Sequence, residues 1–178
     1  MDACAAGVID GAVVLVISNH SDAPVLERAA RMGAVTQHLS SWTHGEALDG
    51  AIREALAAAG VELVVLAGYV KKVGPQTLEA FRERIINVHP GPLPKYGGRG
   101  LYGEAVHRAV LAAGEAVSGA TVHMVDADYD HGRVIATREV PVLPDDDAAS
   151  LAARVLACEH ELLPETIARI ARGELALE

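Results

Sequence analysis

Apolar and polar positions follow two periods along the chain. Residues 12–17 and 63–67 are unbroken apolar runs of strand length, the pattern of strands buried on both faces of a parallel sheet. A shorter strand is predicted over 34–38, and a further one over 85–89, where Ile85-Ile86 passes into Asn87-Val88-His89. Between these runs the period lengthens. Residues 46–59 place Ala47, Leu48, Ala51, Ile52, Ala55 and Leu56 on one helical face, stopped by Gly60. A helix over 24–32 starts at Pro24, with Ser21 or Asp22 as its cap, and Gly33 ends it. Residues 1–6 read as the end of a helix stopped by Gly7, Pro75 opens a short helix, and residues 104–113 form another that ends at Gly114.

Beyond residue 114 the pattern changes. Residues 120–125 and 134–142 flank a loop over 126–132, which predicts an antiparallel pair. A last helix runs to about residue 172, with Asp145, Asp146 and Asp147 at its start, where the helix dipole favours negative charge. The alternation predicts an α/β fold with a mostly parallel sheet flanked by helices and an antiparallel pair in the C-terminal half. No linker divides the 178 residues, which read as one domain.

Composition narrows the picture. With 51% apolar but only 3% aromatic residues, the core must be aliphatic. A net charge of −9 argues against a nucleic-acid partner, which wants a basic face. Cys4 and Cys158 form no spaced motif and suit a reducing cytoplasm. No apolar run approaches a membrane span, and no signal peptide opens the chain. The eight His residues show no metal-ligand spacing. His20, His38, His44, His107 and His160 read as surface or structural, and His123 and His131 lie nearer the candidate chemistry described next. No Ser stands in a nucleophile elbow.

The chemistry concentrates at Asn87-Val88-His89-Pro90-Gly91-Pro92-Leu93-Pro94-Lys95-Tyr96-Gly97-Gly98. Side chains two apart in a strand share a face, so Asn87 and His89 point the same way. Prolines at 90, 92 and 94 stiffen the loop that follows. In open α/β sheets ligands bind beyond the carboxyl ends of strands. The pair reads either as two donors aimed at a carbonyl oxygen or as an ordinary polar strand end. Asp126, Asp128 and Asp130 share the later loop, and residue pattern alone gives none of them the better claim to act as a base.

The segment Asn87-Val88-His89-Pro90 with Leu93-Pro94-Lys95-Tyr96-Gly97-Gly98 resembles the signature of folate-dependent formyltransferases, within them the glycinamide ribonucleotide transformylase family. Leu101-Tyr102-Gly103, Val106-His107, Ala112-Ala113-Gly114-Glu115, Thr121-Val122-His123-Met124-Val125 and Tyr129-Asp130-His131-Gly132 continue the likeness in order, from residue 1 to about residue 172. The resemblance implies a Rossmann-like formyltransferase fold. It implies transfer of a formyl group from 10-formyltetrahydrofolate, without a metal, to a primary amine, 5′-phosphoribosylglycinamide of de novo purine synthesis. Rival readings are another amine acceptor, a hydrolase that releases formate from the same donor, and a folate-binding remnant without turnover. The expected partners are the two small molecules, with no nucleic acid or membrane, for a cytoplasmic monomer or homodimer.

Carried over by position, the resemblance makes Asn87, His89 and Asp130 the catalytic set, with Asp130 ordering a proton-carrying water and holding His89 cationic; a nearby carboxylate favours the charged imidazole. Tyr69, Val70, Lys71, Lys72 and Val73 resemble one wall of the folate pocket. Val125, Asp126, Asp128 and Tyr129 resemble another. Lys71 and Lys72 either meet the glutamate tail of folate or are ordinary surface lysines, and Asp126 and Asp128 are equally readable as solvated loop charges. Glu159 matches a position that contacts the acceptor's ribose; as a lone Glu on a helix it is otherwise a solvated side chain.

Two departures stand out. The family opens with a strand and a Gly/Ser/Asn-rich phosphate loop, whereas this sequence begins near the end of the helix that follows them, at Met1-Asp2-Ala3-Cys4. The expectation is a shortened domain that lacks the backbone donors of that anion site. An arginine that helps bind the acceptor phosphate in some members falls at Gly45, and a Gln near the acceptor falls at Leu156. The acceptor half of the site is therefore expected to be weakened and the formyl-transfer half intact.

Overall fold

A computed structural model describes residues 1–177. Its helices are α1 (Asp2–Ala5), α2 (Pro24–Arg31), α3 (Ser41–His44), α4 (Leu48–Ala58), α5 (Pro75–Ala80), α6 (Glu104–Ala112) and α7 (Ala148–Ala171), and its strands are β1 (Leu15–Ser18), β2 (Val35–His38), β3 (Val64–Leu66), β4 (Ile85–His89), β5 (Val117–Met124) and β6 (Val134–Pro141). β1 pairs parallel with β2. A second sheet runs in the order β3-β4-β5-β6, parallel between β3 and β4 and antiparallel across β4-β5 and β5-β6. The α/β alternation and the C-terminal antiparallel pair are as the sequence predicts, with β5 starting three residues earlier than its apolar run, at Val117.

β4 holds the site because it is packed from both sides. Successive side chains of a strand point to opposite faces. Ile86 enters an aliphatic core with Val106 and Val110 of α6, Val122 of β5, and Leu151 and Val155 of α7. Ile85 enters a smaller core with Leu56 of α4 and Phe81. Each fully buried aliphatic side chain contributes roughly 1.5–3 kcal/mol, so the strand's end is fixed on both faces.

Two expectations need correction. The 12–17 and 63–67 runs yield strands of only four and three residues, half-buried rather than buried on both faces; Val65 is 36% exposed. Among the described residues β1 pairs only with β2 and β3 only with β4, so each has one unpaired edge and less cover. In α2 neither Ser21 nor Asp22 caps; Ala23 is the N-cap without a side-chain bond, and Pro24 occupies the first turn, where its missing N–H costs nothing. α7 does use the acidic run. Asp147 and Ser150 form a reciprocal capping box, while Asp146 takes a two-pronged ion pair from Arg154 at 2.6 and 2.9 Å.

α5 is capped from outside. Asp49 of α4 accepts from the Gln76 and Thr77 N–H groups at 2.8 and 3.1 Å and from the Thr77 hydroxyl at 2.7 Å. That anchors the far end of the 68–73 stretch. Among the described residues no helix is long and apolar enough to cross a membrane.

Candidate active site

The ladder of β4 against β5 sets Asn87 opposite His123 and His89 opposite Thr121. His123 Nδ1 lies 2.7 Å from the Met124 carbonyl oxygen. A carbonyl only accepts, so that nitrogen carries a proton, and Nε2 is turned toward Asn87 as its acceptor. Asn87 Nδ2, 3.0 Å away, donates to it. The bond orients the Asn87 amide and leaves its second N–H uncommitted.

His89 is 3% exposed. Its Nε2 donates to the Tyr96 carbonyl at 2.8 Å, which turns Nδ1 toward Asp130 Oδ1 at 3.5 Å. The same carboxylate oxygen lies 3.5 Å from His123 Nε2. Asp130 Oδ2 accepts from the Gly98 N–H at 3.0 Å. One carboxylate thus stands between two buried imidazoles, tied to the Pro-Gly loop. It gets there through a left-handed backbone, φ +56°, uncommon for any residue but glycine. The approach also requires Gly97: a Cβ there would lie 2.3 Å from Leu93 Cδ2 and 2.9 Å from Asp130 Cβ.

The loop is pinned at four further points. Thr121 Oγ1, buried, donates to the Gly91 carbonyl at 2.8 Å and accepts from the Leu93 N–H at 3.4 Å. The Tyr96 hydroxyl donates to Glu115 at 2.6 Å, and Lys95 pairs with the same carboxylate.

Burial pushes the His89 imidazole below its ordinary value. Asp130 and the Tyr96 carbonyl pull it back up, and His123 adds to the depression. The expectation of a cationic His89 is therefore corrected: desolvation outweighs the carboxylate, and the ring rests neutral near pH 7. Burial would raise Asp130, but His123, the Gly98 N–H and His89 outweigh it and hold the carboxyl below its usual value. His107 of α6, also buried, is lowered by desolvation and then by His89; among the described residues its Nδ1 has no hydrogen-bond partner.

The 68–73 and 125–130 stretches face each other. Lys72 Nζ donates to the Ala127 carbonyl at 2.7 Å, pairs with Asp128 at 3.8 Å and sits 5.3 Å from the Tyr129 ring centre. Val73 and Val125 pack against the same small core. Tyr69 is raised by burial, with smaller contributions from Tyr129 and Asp49. Lys72, Arg99, Asp128 and Tyr129 line a cavity of about 510 Å³. Val70 is 53% exposed and Lys71 is exposed. Asp126 turns back on its own loop, accepting from the Asp128 N–H at 2.8 Å and pairing with His131 at 3.6 Å.

Glu159 lies on α7 and, among the described residues, makes no hydrogen bond or ion pair with this cluster. Burial alone pushes its carboxyl up to about 7. Gly45 closes α3 with φ +54° and ψ −129°, a conformation an arginine would adopt only under strain. Leu156 is 49% exposed. Among the described residues no group of His, Cys, Asp and Glu is placed to hold a metal.

Sequence reasoning gave His123 no role, yet it sets the orientation of Asn87. Its signal was faint: one polar ring in a strand whose other side chains, Ser118 to Met124, are also buried, so no alternation marked it.

The formyl transferase family model matches residues 1–167. A phosphoribosylglycinamide formyltransferase of Escherichia coli is 36% identical over 179 residues, covering 99% of this chain and 82% of the relative. A chloroplastic phosphoribosylglycinamide formyltransferase of Arabidopsis thaliana is 39% identical over 173 residues, and the chain spans 59% of its length. The crystal structure of glycinamide ribonucleotide transformylase 1 from Symbiobacterium toebii superposes with a TM-score of 0.92 at 42% identity, covering 99% of this chain and 82% of that one.

Proposed function

The chain belongs to the formyl transferase family, and on that premise we propose that it transfers the formyl group of 10-formyltetrahydrofolate to the amine of 5′-phosphoribosylglycinamide, a step of purine synthesis. The observation that carries the reading is the Asp130 carboxylate, 3.5 Å from both His89 and His123, beside an Asn87 amide already oriented by a hydrogen bond.

In this reading the amine attacks the formyl carbon and the carbonyl oxygen gains negative charge. The uncommitted Asn87 N–H is one donor to it. His89 Nδ1 becomes a second donor once it is protonated. The neutral resting ring suits that sequence: developing oxyanion charge beside Asp130 raises the basicity of His89, so the proton arrives when it stabilises most. The attacking nitrogen gives its proton to Asp130, directly or through one water, and from there it reaches the imidazole. The oxyanion then collapses, the carbon–N10 bond breaks, and N10 takes the proton back from His89. The two 3.5 Å separations are long for hydrogen bonds, as resting catalytic pairs often are before substrate tightens them.

The donor's pterin and aminobenzoyl groups would lie between the 68–73 and 125–130 stretches, with Tyr69, Val70, Lys71, Lys72, Val73, Val125, Asp126, Asp128 and Tyr129 as the candidate lining. Glu159, lacking a cation, is free to meet the acceptor's ribose hydroxyls. The two unpaired cysteines suit work in a reducing cytoplasm.

The test is an assay of the purified chain with 10-formyltetrahydrofolate, with and without 5′-phosphoribosylglycinamide. Acceptor-dependent loss of the formyl group supports the reading, and Asn87→Ala should slow it by about two to three orders of magnitude. Formate release without amine points to a hydrolase. Folate binding with no product from any amine points to a binding protein.

A further inference from the structure

Gly132 closes the loop that carries Asp130, and it does so against one carbonyl. A Cβ added there would lie 2.1 Å from the Met124 carbonyl oxygen and 2.8 Å from the Met124 carbonyl carbon, closer than a real Cβ can stand. The φ of Gly132 lies outside the left-handed region, so it is the close approach that calls for glycine. The same oxygen accepts the His123 Nδ1–H at 2.7 Å. One carbonyl therefore meets both the residue that orients Asn87 and the chain that bears Asp130. That carbonyl is held. The Met124 N–H donates to the Arg133 carbonyl at 2.8 Å, and the next N–H, of Val125, donates to the Ile85 carbonyl of β4 at 2.9 Å. Beyond Gly132 the chain is tied as well, since the Arg133 guanidinium donates to the Ala176 and Leu177 carbonyls at 3.2 and 2.7 Å. Slack lies on the other side, where residues 126–129 and His131 are exposed.

We propose that Gly132 is a positioning residue for the formyl transfer: its missing side chain lets the 126–132 loop seat on the Met124 carbonyl, and that seating places Asp130 between His89 and His123. For its catalytic consequence the proposal rests on the formyl-transfer reading given above. A methyl group at 132 would meet backbone, which cannot turn aside as the tip of a side chain can, so the chain itself must shift. The Met124 side is fixed by its bonds to Arg133 and Ile85. The loop therefore lifts from the carbonyl, and Asp130, two residues earlier, lifts with it. Gly97 clears the same residue from the side of the Pro-Gly loop, so Asp130 is seated between two close backbone approaches.

Gly132→Ala tests this. Turnover should fall about tenfold or more while KM stays within about twofold, the signature of a misplaced group rather than of lost binding. In NMR titration the His89 ring should titrate at lower pH, because Asp130 is the largest influence that raises it. Asp130→Asn should shift it in the same direction, and adding Gly132→Ala to Asp130→Asn should move it no further. The proposal is overturned if Gly132→Ala lowers the thermal midpoint and leaves the His89 titration unchanged, or if the two substitutions shift that titration additively. Should the variant fail to fold, the natural protein decides. Gly132 Hα and His123 Hδ1 face one oxygen, so a nuclear Overhauser cross-peak between them is expected, and its absence overturns the seating. Lack of acceptor-dependent transfer by the natural protein would overturn the formyl-transfer reading alone, and the His89 titration still decides whether Gly132 sets Asp130.

Discussion

Asn87 and His123 are direct partners across the β4–β5 ladder, and their side chains repeat the pairing of their backbones, with Nδ2 of one 3.0 Å from Nε2 of the other. The Met124 carbonyl fixes the tautomer of His123, so the acceptor for Asn87 is set by backbone geometry. His123→Leu should leave the fold and folate affinity largely intact and reduce turnover by about tenfold or more, as an oriented donor becomes mobile. Steady-state kinetics read this out. A loss confined to KM would show that His123 only shapes the binding surface.

Asp130 is the largest influence that raises His89 against burial. In Asp130→Asn the His89 value should fall further below 6.5, because the carboxylate no longer favours the charged ring. NMR titration of the His89 ring in both proteins measures the change. A value that stayed put would assign the ionic partnership to another carboxylate, such as Asp128.

Two kinds of buried group give stability opposite dependences on pH. His89 and His107 titrate below 6.5 in the folded protein. As pH falls through 6.5 the unfolded chain takes up protons that the folded one refuses, so their contribution is full above 6.5 and lost below it. Glu159 is raised from 4.5 to about 7. Between those values the folded protein holds a proton the unfolded chain has released, so its contribution falls as pH rises through this range. Urea midpoints between pH 5 and 8 should show a flatter acid limb in His107→Leu, and a gain above pH 7 in Glu159→Gln.

Gly97→Ala puts a methyl group where Leu93 and Asp130 already stand. The Asp130 side should give, because its left-handed residue sits on an exposed loop. Turnover should drop at least tenfold while the thermal midpoint moves by a few degrees at most, a split that activity and melting measurements resolve. Equal loss in both would mean the Pro-Gly loop yields instead.

What could be read in the sequence follows from how local each cause is. Asn87 and His89 are visible because strand alternation and the following prolines act within a few residues. Asp130 could not be told from Asp126 and Asp128 by pattern, because its position depends on a left-handed turn and on the Gly98 N–H, 32 residues away. His123 was missed for the same reason, since its significance depends on ladder register with β4. The neutrality of His89 follows from a burial that only the packed α6–β4–β5 layers create. The apolar runs at 12–17 and 63–67 predicted strands correctly and their burial wrongly, since cover depends on neighbouring strands and not on the run itself.

The Thr121 hydroxyl, bonded to both the Gly91 carbonyl and the Leu93 N–H, makes the site loop and the central sheet one cooperative unit. Surface loops ordinarily open by themselves at little cost, while core strands open only when the whole domain does. Here the fastening lies in a strand residue with no exposed surface, so the loop has no cheap way to detach. In amide exchange, the Leu93 N–H should share the slow regime of the β5 amides. A protein that keeps this fold therefore keeps its site assembled, and heating should leave no intermediate in which the sheet survives and the site is lost.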